Sequence, residues 1–245
     1  MRKGRSVPAQ PPRQVPEEIQ SQIALSPGIT AEAQKQAMLE LSNGRSPQQV
    51  IGLAEHASDF ADLLARDLAA DEPVACRAGC SWCCTTTHVA TSAPEILRIA
   101  DALRRQMAPT ELARLIERLN RRANRIAEMP EERRPRARIP CALLIDHRCS
   151  IYDVRPLACK GWTSSSAQAC ESSYRSGWER AIPNGARRLG ISVSVRQGVR
   201  EALDQGGLDG AKLDLTVALR IALSEPDTAE RWLAGEPVFA LAYVP

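Results

Sequence analysis

The stretch Val74-Ala-Cys-Arg-Ala-Gly-Cys-Ser-Trp-Cys-Cys84 places four cysteines within nine residues. Three residues separate Cys76 from Cys80 and two separate Cys80 from Cys83, a spacing typical of metal ligands. In a straight helix, Cys76 and Cys84 would lie about 12 Å apart at a rise of 1.5 Å per residue. That separation is too long for one ion with bonds of about 2.3 Å to sulfur. We therefore predict that the chain wraps around a metal here or that the four thiols serve more than one ion or cluster.

The adjacent residues Cys83 and Cys84 constrain the geometry further. Because neighbouring side chains on a backbone normally diverge, two adjacent cysteines rarely chelate one ion together. We expect one of the pair to face a second metal, a bridging position or the surroundings of the first ligand shell. Gly79 gives the backbone the freedom to turn between the ligands.

A second group of cysteines follows a long interval and comprises Cys141, Cys149, Cys159 and Cys170. Thiolates are soft ligands that suit zinc, copper(I) and iron–sulfur clusters. Four sulfurs per zinc or per cluster would distribute the eight cysteines over two sites. The negative charge of such centres would be offset by nearby cations, for which the candidates are Arg77, Arg148, Arg155 and Lys160.

The composition is that of an ordinary globular protein, with 44% hydrophobic and 25% charged residues and a net charge of +3. No apolar run is long enough for a membrane span, and no apolar segment follows the basic N-terminus as in a secretory signal. We therefore expect a cytoplasmic protein without a membrane partner. Thiols stay reduced in that compartment, so the cysteines indicate metal binding rather than disulfides.

Helical patterns dominate the chain and predict a mainly α fold around an irregular cysteine-rich centre. Residues 1–28 are rich in proline and predict a disordered arm, and residues 29–245 predict one helical domain whose cysteine core spans 74–170. Thr30, Ser46 and Ser92 are the candidate caps of the first three helices. Pro109 begins a fourth helix, which we expect to form an antiparallel pair with the third.

The pattern changes near residue 139. Two short apolar runs flank Asp146-His147, which predicts a hairpin or tight turn rather than a helix. From about Gln168 to the end the pattern is helical again and is interrupted by Gly206-Gly207 and Pro226.

The segment from Arg98 to Arg138 holds twelve arginines and six acidic residues. Such a face could bind nucleic acid. However, Glu111, Glu117 and Glu128 alternate with the arginines at helical spacing, and few aromatics are available to stack on bases. We interpret this segment as a solvated, ion-paired surface and expect no nucleic-acid partner.

Two motifs carry a resemblance to a known family. The first is the cluster Cys76-x-x-x-Cys80-x-x-Cys83-Cys84, and the second is Cys149-Ser-Ile-Tyr152-Asp-Val-Arg155-Pro156-Leu-Ala-Cys159. Together they resemble the YkgJ-type cysteine-cluster family, described as a zinc- or iron-chelating domain, over roughly residues 74–162. The gap of three residues after Cys76 departs from the two that are also common in that family.

The resemblance implies a set of metal ligands and several alternatives for the function. The implied ligands are Cys76, Cys80, Cys83, Cys84, Cys141, Cys149 and Cys159, with Cys170 beyond the core motif. His88 and His147 lie beside the cysteine groups and could add nitrogen ligands, although a loop and a turn histidine are the simpler interpretation.

The leading hypothesis is a protein that holds an iron–sulfur or zinc centre. Iron is favoured because the second group lacks a Cys-x-x-Cys pair. Flagellin lysine N-methylases carry a similar cluster, so a metal-dependent protein-modifying enzyme is one alternative. A zinc-stabilised adaptor whose helices bind an unknown protein partner is the other.

Overall fold

A computed structural model describes residues 26–77 and 79–244. Most of them belong to nine α-helices: α1 (Pro27–Ser42), α2 (Pro47–Leu68), α3 (Ala93–Gln106), α4 (Pro109–Ala127), α5 (Leu157–Gly161), α6 (Ala167–Arg175), α7 (Ala186–Gln205), α8 (Leu215–Ser224) and α9 (Thr228–Leu233). Two antiparallel strand pairs join β1 (Ala90–Thr91) to β4 (Leu213–Asp214) and β2 (Leu144–Ile145) to β3 (Arg148–Cys149). The predicted mainly α class with a short hairpin is therefore confirmed. Within the described ranges, no helix is both long and apolar enough to cross a bilayer.

Helices α2 and α3 begin after the predicted cap residues Ser46 and Ser92. Ser46 caps α2 through its hydroxyl, which accepts from the backbone of Gln49, while the Gln49 side chain accepts from the Ser46 N–H. For α1 the predicted cap Thr30 is wrong, because the helix already starts at Pro27 and the Ser26 hydroxyl accepts from the helix backbone. The predicted arm lies outside the described residues except for positions 26–28.

Helix α8 forms the centre of the main hydrophobic core. Leu215, Ala218, Leu219 and Ala222 of this helix are all at most 4% exposed. Helices α3 and α4 both pack against α8 and make only limited contact with each other, so the predicted α3–α4 pair is wrong. The physical reason is that seven of the ten residues of α8 are buried, so both helices pack their apolar faces against it.

Helices α1 and α7 approach closely because a glycine lies at their contact. A Cβ atom at Gly198 would fall 2.3 Å from the Thr30 carbonyl oxygen and 2.8 Å from the Cβ of Ala33. Helix α7 also packs against the short helix α5, which carries Cys159. This contact fixes one part of the cysteine region against the helical scaffold.

Candidate metal centre

Seven of the eight cysteines lie in the wall of one open cavity of about 630 Å³. They come from both sequence groups and are Cys76, Cys80, Cys83, Cys84, Cys141, Cys149 and Cys159. All eight are free thiols, so none is held in a disulfide. Cys170 lies outside this wall, 6% exposed, in a small cluster with Trp178 and Ile182.

Backbone hydrogen bonds join the two cysteine segments directly. The N–H of Cys141 donates to the carbonyl of Cys84 at 2.7 Å, and the N–H of Ile139 donates to that of Thr85 at 3.0 Å. The first segment is also anchored upstream, where Ala75 donates to the Ser164 carbonyl at 2.8 Å. These bonds bring residues far apart in sequence to the same cavity.

The hairpin β2–β3 positions Cys149. Asp146 and His147 link its strands with φ angles of 49° and 62°, the left-handed conformation of a two-residue type I′ turn. The prediction of a tight turn at these residues is confirmed. Register pairs Cys149 with Leu144, which directs the hairpin end containing Cys149 back to the segment of Cys141.

Cys159 is positioned by the first turn of α5. The Leu157 N–H donates to the Glu95 carboxylate at 2.8 Å, and the Leu157 carbonyl accepts from the Ser192 hydroxyl at 2.6 Å. Gly161 permits the close approach to α7, since a Cβ there would lie 2.4 Å from the Cβ of Ser192. Helix α5 is therefore fixed on two sides although it has only five residues.

Glu95 is a buried carboxylate that links α3 to α5. It is 8% exposed, and its second oxygen accepts from the Thr91 hydroxyl at 2.9 Å and from the N–H and hydroxyl of Ser92 at 2.9 and 3.0 Å. Four donors thus satisfy the charge that burial would otherwise make costly. The same side chain caps α3 and fixes the turn that leads to Cys159.

Arg122 connects both cysteine segments to α8. It is 7% exposed, and its guanidinium donates to the carbonyls of Thr86 at 2.5 Å and Pro140 at 3.0 Å and to the hydroxyl of Thr216 at 2.5 Å. Thr86 follows the first cysteine segment by two residues, and Pro140 precedes Cys141. Burial lowers the pKa of Arg122, whereas the thiol of Cys141 and the carboxylate of Asp214 raise it.

Cys83 and Cys84 form a hydrogen-bonded pair of thiols. The bond from Cys84 lowers the pKa of Cys83 to about 7, and the nearby guanidinium of Arg155 lowers it as well, against the effect of burial. The same bond, together with burial, raises the pKa of Cys84. Cys83 is therefore the more acidic thiol of the pair.

The thiols that neighbour Cys170 and those that neighbour Cys159 form two groups that share Cys83. Burial raises the pKa of Cys170, and the charges that raise it further belong to Cys83, Cys76 and Cys80. Burial also raises the pKa of Cys159, and there the neighbours are Cys141, Cys83 and Cys149. Cys84 is raised further by Cys141 and Cys159. Cys83 therefore lies at the border between the two groups.

The four candidate cations are not equivalent. Arg155 is half-buried and lowers the pKa of Cys83, Cys149 and Cys159. Lys160 is instead bound to the carboxylate of Asp62 and the hydroxyl of Ser58, both at 2.6 Å. Arg77 and Arg148 are exposed at the cavity rim. Arg155 and Arg122 are thus the cations that act on the thiols.

The set of thiol donors fits a soft metal, but the thiols do not yet surround one common point. Seven thiols around one cavity are the chemistry that zinc and iron–sulfur centres require. Among the residues described, no three His, Cys, Asp or Glu side chains already stand at chelating distance from a common point. Metal uptake would therefore close the thiols inwards and displace their protons, because the thiolate is the ligand.

Three residues of the site escaped the sequence patterns: Glu95, Arg122 and Asp214. A signal for Arg122 was present, because it shares the helical stripe of Leu115, Leu119 and Ile126, all buried. Interpreting every arginine of 98–138 as solvated is therefore wrong for Arg122. Ion pairs such as Arg105–Asp101 and Arg121–Glu117 do follow the predicted surface pattern. Glu95 and Asp214 resemble ordinary helix-capping residues in sequence.

Comparison with protein families assigns the cysteine region. Residues 75–176 match the CxxCxxCC family model, described as a "Putative zinc- or iron-chelating domain". The match covers less than half of the chain and includes all eight cysteines. No curated protein and no solved structure matches the chain. Residues 75–176 are therefore similar to the CxxCxxCC family of zinc- or iron-chelating domains, in agreement with the resemblance of the cysteine motifs.

Proposed function

We propose that this protein holds cysteine-ligated iron–sulfur centres in the cavity between the two cysteine segments. The observation that carries the proposal is the position of seven free thiols in one cavity wall, contributed by segments that are about 60 residues apart. The hydrogen bond from Cys141 to Cys84 holds these segments together. The match to the zinc- or iron-chelating family model supports metal binding in general.

The size of the cavity supports a polynuclear group rather than a single zinc ion. A volume of about 630 Å³ is many times the roughly 30 Å³ that one water molecule occupies in the liquid. A zinc ion with four thiolates at about 2.3 Å fills its own coordination sphere and needs no such space. An iron–sulfur cluster adds several iron and sulfide atoms within the thiolate shell.

The two groups of neighbours support two centres. We assign Cys76, Cys80, Cys83 and Cys170 to one centre and Cys84, Cys141, Cys149 and Cys159 to the other. This division separates the adjacent pair Cys83 and Cys84, which a single ion would rarely bind together. Arg155 and Arg122 would offset part of the negative charge that the thiolates bring.

Anaerobic purification with elemental analysis and visible absorption tests the proposal. Iron with sulfide in a brown protein is the expected result, whereas zinc alone in a colourless protein overturns the iron assignment and supports the adaptor. Metal content of Cys76→Ser and Cys141→Ser then tests the two centres. Each single variant should lose about half of the iron and the double variant all of it. Complete loss in either single variant contradicts two independent centres.

Cys170 has its own test because it lies outside the cavity wall. The assignment predicts that Cys170→Ser loses the same half of the iron as Cys76→Ser, and that combining these two variants causes no further loss. Full iron content in Cys170→Ser removes it from the ligand set. Far-UV circular dichroism of each variant verifies that the helices remain folded.

A metal-dependent protein-modifying enzyme is a second candidate, favoured by the same cavity. Its volume falls in the range of about 300–1,000 Å³ that small-molecule sites occupy, and its rim is open. This function predicts saturable binding of S-adenosylmethionine to the metal-loaded protein by calorimetry. The absence of binding to the loaded protein excludes methyl transfer by this route.

A further inference from the structure

His88 and Asp214 form a hydrogen-bonded pair at the metal cavity. The Nδ1 atom of His88 lies 3.0 Å from a carboxylate oxygen of Asp214, and His88 belongs to the cavity wall. Because an ionised carboxylate only accepts, this bond places the proton of the neutral imidazole on Nδ1. The lone pair of Nε2 is then available to a ligand, and the side chain of His88 is 46% exposed.

The carboxylate of Asp214 is fixed before it meets the histidine. Asp214 is 5% exposed, and its other oxygen accepts from the N–H groups of Thr216 and Val217 at 3.0 and 3.1 Å, which caps α8. Seven of the ten residues of helix α8 are buried. The orientation of His88 is therefore set by a carboxylate that is itself bound to a buried helix.

The Asp214 carboxylate of this pair influences Cys141, one of the thiols assigned to the second proposed centre. The Asp214 carboxylate is among the charges that, after burial, raise the pKa of Cys141. The same carboxylate raises the pKa of Arg122. The guanidinium of Arg122 donates to the Thr86 and Pro140 carbonyls beside the two cysteine segments. The His88–Asp214 pair and the segment of Cys141 thus share Arg122 as a neighbour.

The other two histidines have different surroundings. His147 is exposed, and its Nδ1 lies 3.4 Å from the hydroxyl of Ser81, a weaker and neutral partner. His56 is paired with Glu40 on the far helices α1 and α2, outside the cavity wall. A carboxylate buried in the core orients His88 alone among the three.

We propose that His88 supplies a nitrogen ligand through Nε2 to the centre that Cys141 helps to hold. A carboxylate that accepts from the second ring nitrogen is the usual partner of a metal-binding histidine, because it fixes the tautomer and makes the ligating nitrogen more basic. Asp214 is the positioning residue in this arrangement. The inference rests on the proposed metal centre, in which the imidazole of His88 takes the position of one of the four thiolates assigned to it.

Pulsed electron paramagnetic resonance of the reduced, iron-loaded protein tests the proposal. Coupling from a coordinated nitrogen should be present in the wild type and should change with ¹⁵N-labelled histidine. The signal should disappear in His88→Ala and remain in the control variants His147→Gln and His56→Gln. If the purified protein holds zinc, nitrogen chemical shifts of the three labelled histidines are measured before and after chelation, and only Nε2 of His88 should shift.

Asp214→Asn separates positioning from folding. Asparagine still caps a helix, so α8 and the circular dichroism spectrum should be preserved. We expect metal affinity to fall about 10–100-fold with the nitrogen coupling altered. Normal metal content without nitrogen coupling, or coupling lost in His147→Gln instead, overturns the role of His88 and leaves the proposed function intact. A protein that binds no metal at all overturns the proposed function itself.

Discussion

Replacing Arg122 by methionine removes the guanidinium that ties both cysteine segments to α8. The variant retains an unbranched apolar side chain in the buried stripe of α4. It loses the donors to the carbonyls of Thr86 and Pro140 and to the hydroxyl of Thr216. All three acceptors lose their partner, and the hydroxyl of Thr216, a residue that is 5% exposed, is left buried.

The expected loss of stability follows from these bonds. Hydrogen bonds from a charged donor contribute about 1.5–3 kcal/mol each, so three of them set an upper range of about 5–9 kcal/mol. The relief of burying the charge offsets part of this, since burial already lowers the pKa of Arg122. We expect a net destabilisation of about 3–5 kcal/mol, the usual range for disrupting a buried charged network.

Arg121→Met is the matched control on the same helix. Arg121 is 69% exposed and has an ion pair with Glu117 at 3.8 Å, a type of contact that contributes about 0–1 kcal/mol. Thermal unfolding of metal-free protein should show a decrease of about 6–20 °C for Arg122→Met, at about 2–4 °C per kcal/mol for a domain of this size. The control should remain near the wild type.

Comparing the unfolding temperatures of Arg122→Met and Arg121→Met can refute the role of Arg122 directly. Equal unfolding temperatures for the two variants would mean that the guanidinium does not hold the segments together. Iron content measured on the same samples adds a second readout. We expect Arg122→Met to bind less iron even below its unfolding temperature, because Thr86 and Pro140 flank the thiol-bearing turns.

Three further predictions follow, and the first two compare a variant with a control variant of the same residue type. Gly198→Ala should destabilise the protein by about 2 kcal/mol or more in urea unfolding, because its Cβ would lie 2.3 Å from the backbone of α1. Gly52→Ala should stabilise the protein by about 0.5–1 kcal/mol, because no atom lies within 4 Å of the added Cβ. Equal effects would refute the close helix contact. Glu95→Gln should cost about 2–4 kcal/mol, since an amide must turn its NH₂ towards a buried donor, whereas Glu111→Gln, at an exposed cap, should cost less than about 1 kcal/mol. In metal-free protein, iodoacetamide should modify Cys83 first, and its rate should rise with pH through about 7, because the lowered pKa makes the thiolate dominant above that value. A different first site, found by peptide mass spectrometry, would contradict the assignment of Cys83 as the more acidic thiol of the Cys83–Cys84 pair.

Local patterns determined much of the architecture. Ser46 with Gln49 and Ser92 with Glu95 specify helix starts through bonds between residues three apart, so those starts could be predicted from the sequence. The turn at Asp146-His147 is likewise a two-residue feature. The helical class, the hairpin and the similarity to the cysteine-cluster family were therefore accessible without coordinates.

Pairings between distant elements could not be predicted in this way. Three contacts of the site join residues that are more than sixty positions apart in the sequence. They are Arg122 with Thr216, Glu95 with Leu157 and His88 with Asp214. Their formation depends on where α8 packs, because α3 and α4, although consecutive in the chain, pack mainly against α8 and only slightly against each other. A single sequence records which side chains can ligate, cap or be buried, because those properties are local. Only tertiary packing decides which of them meet, because burial of the apolar helices sets the distances between segments.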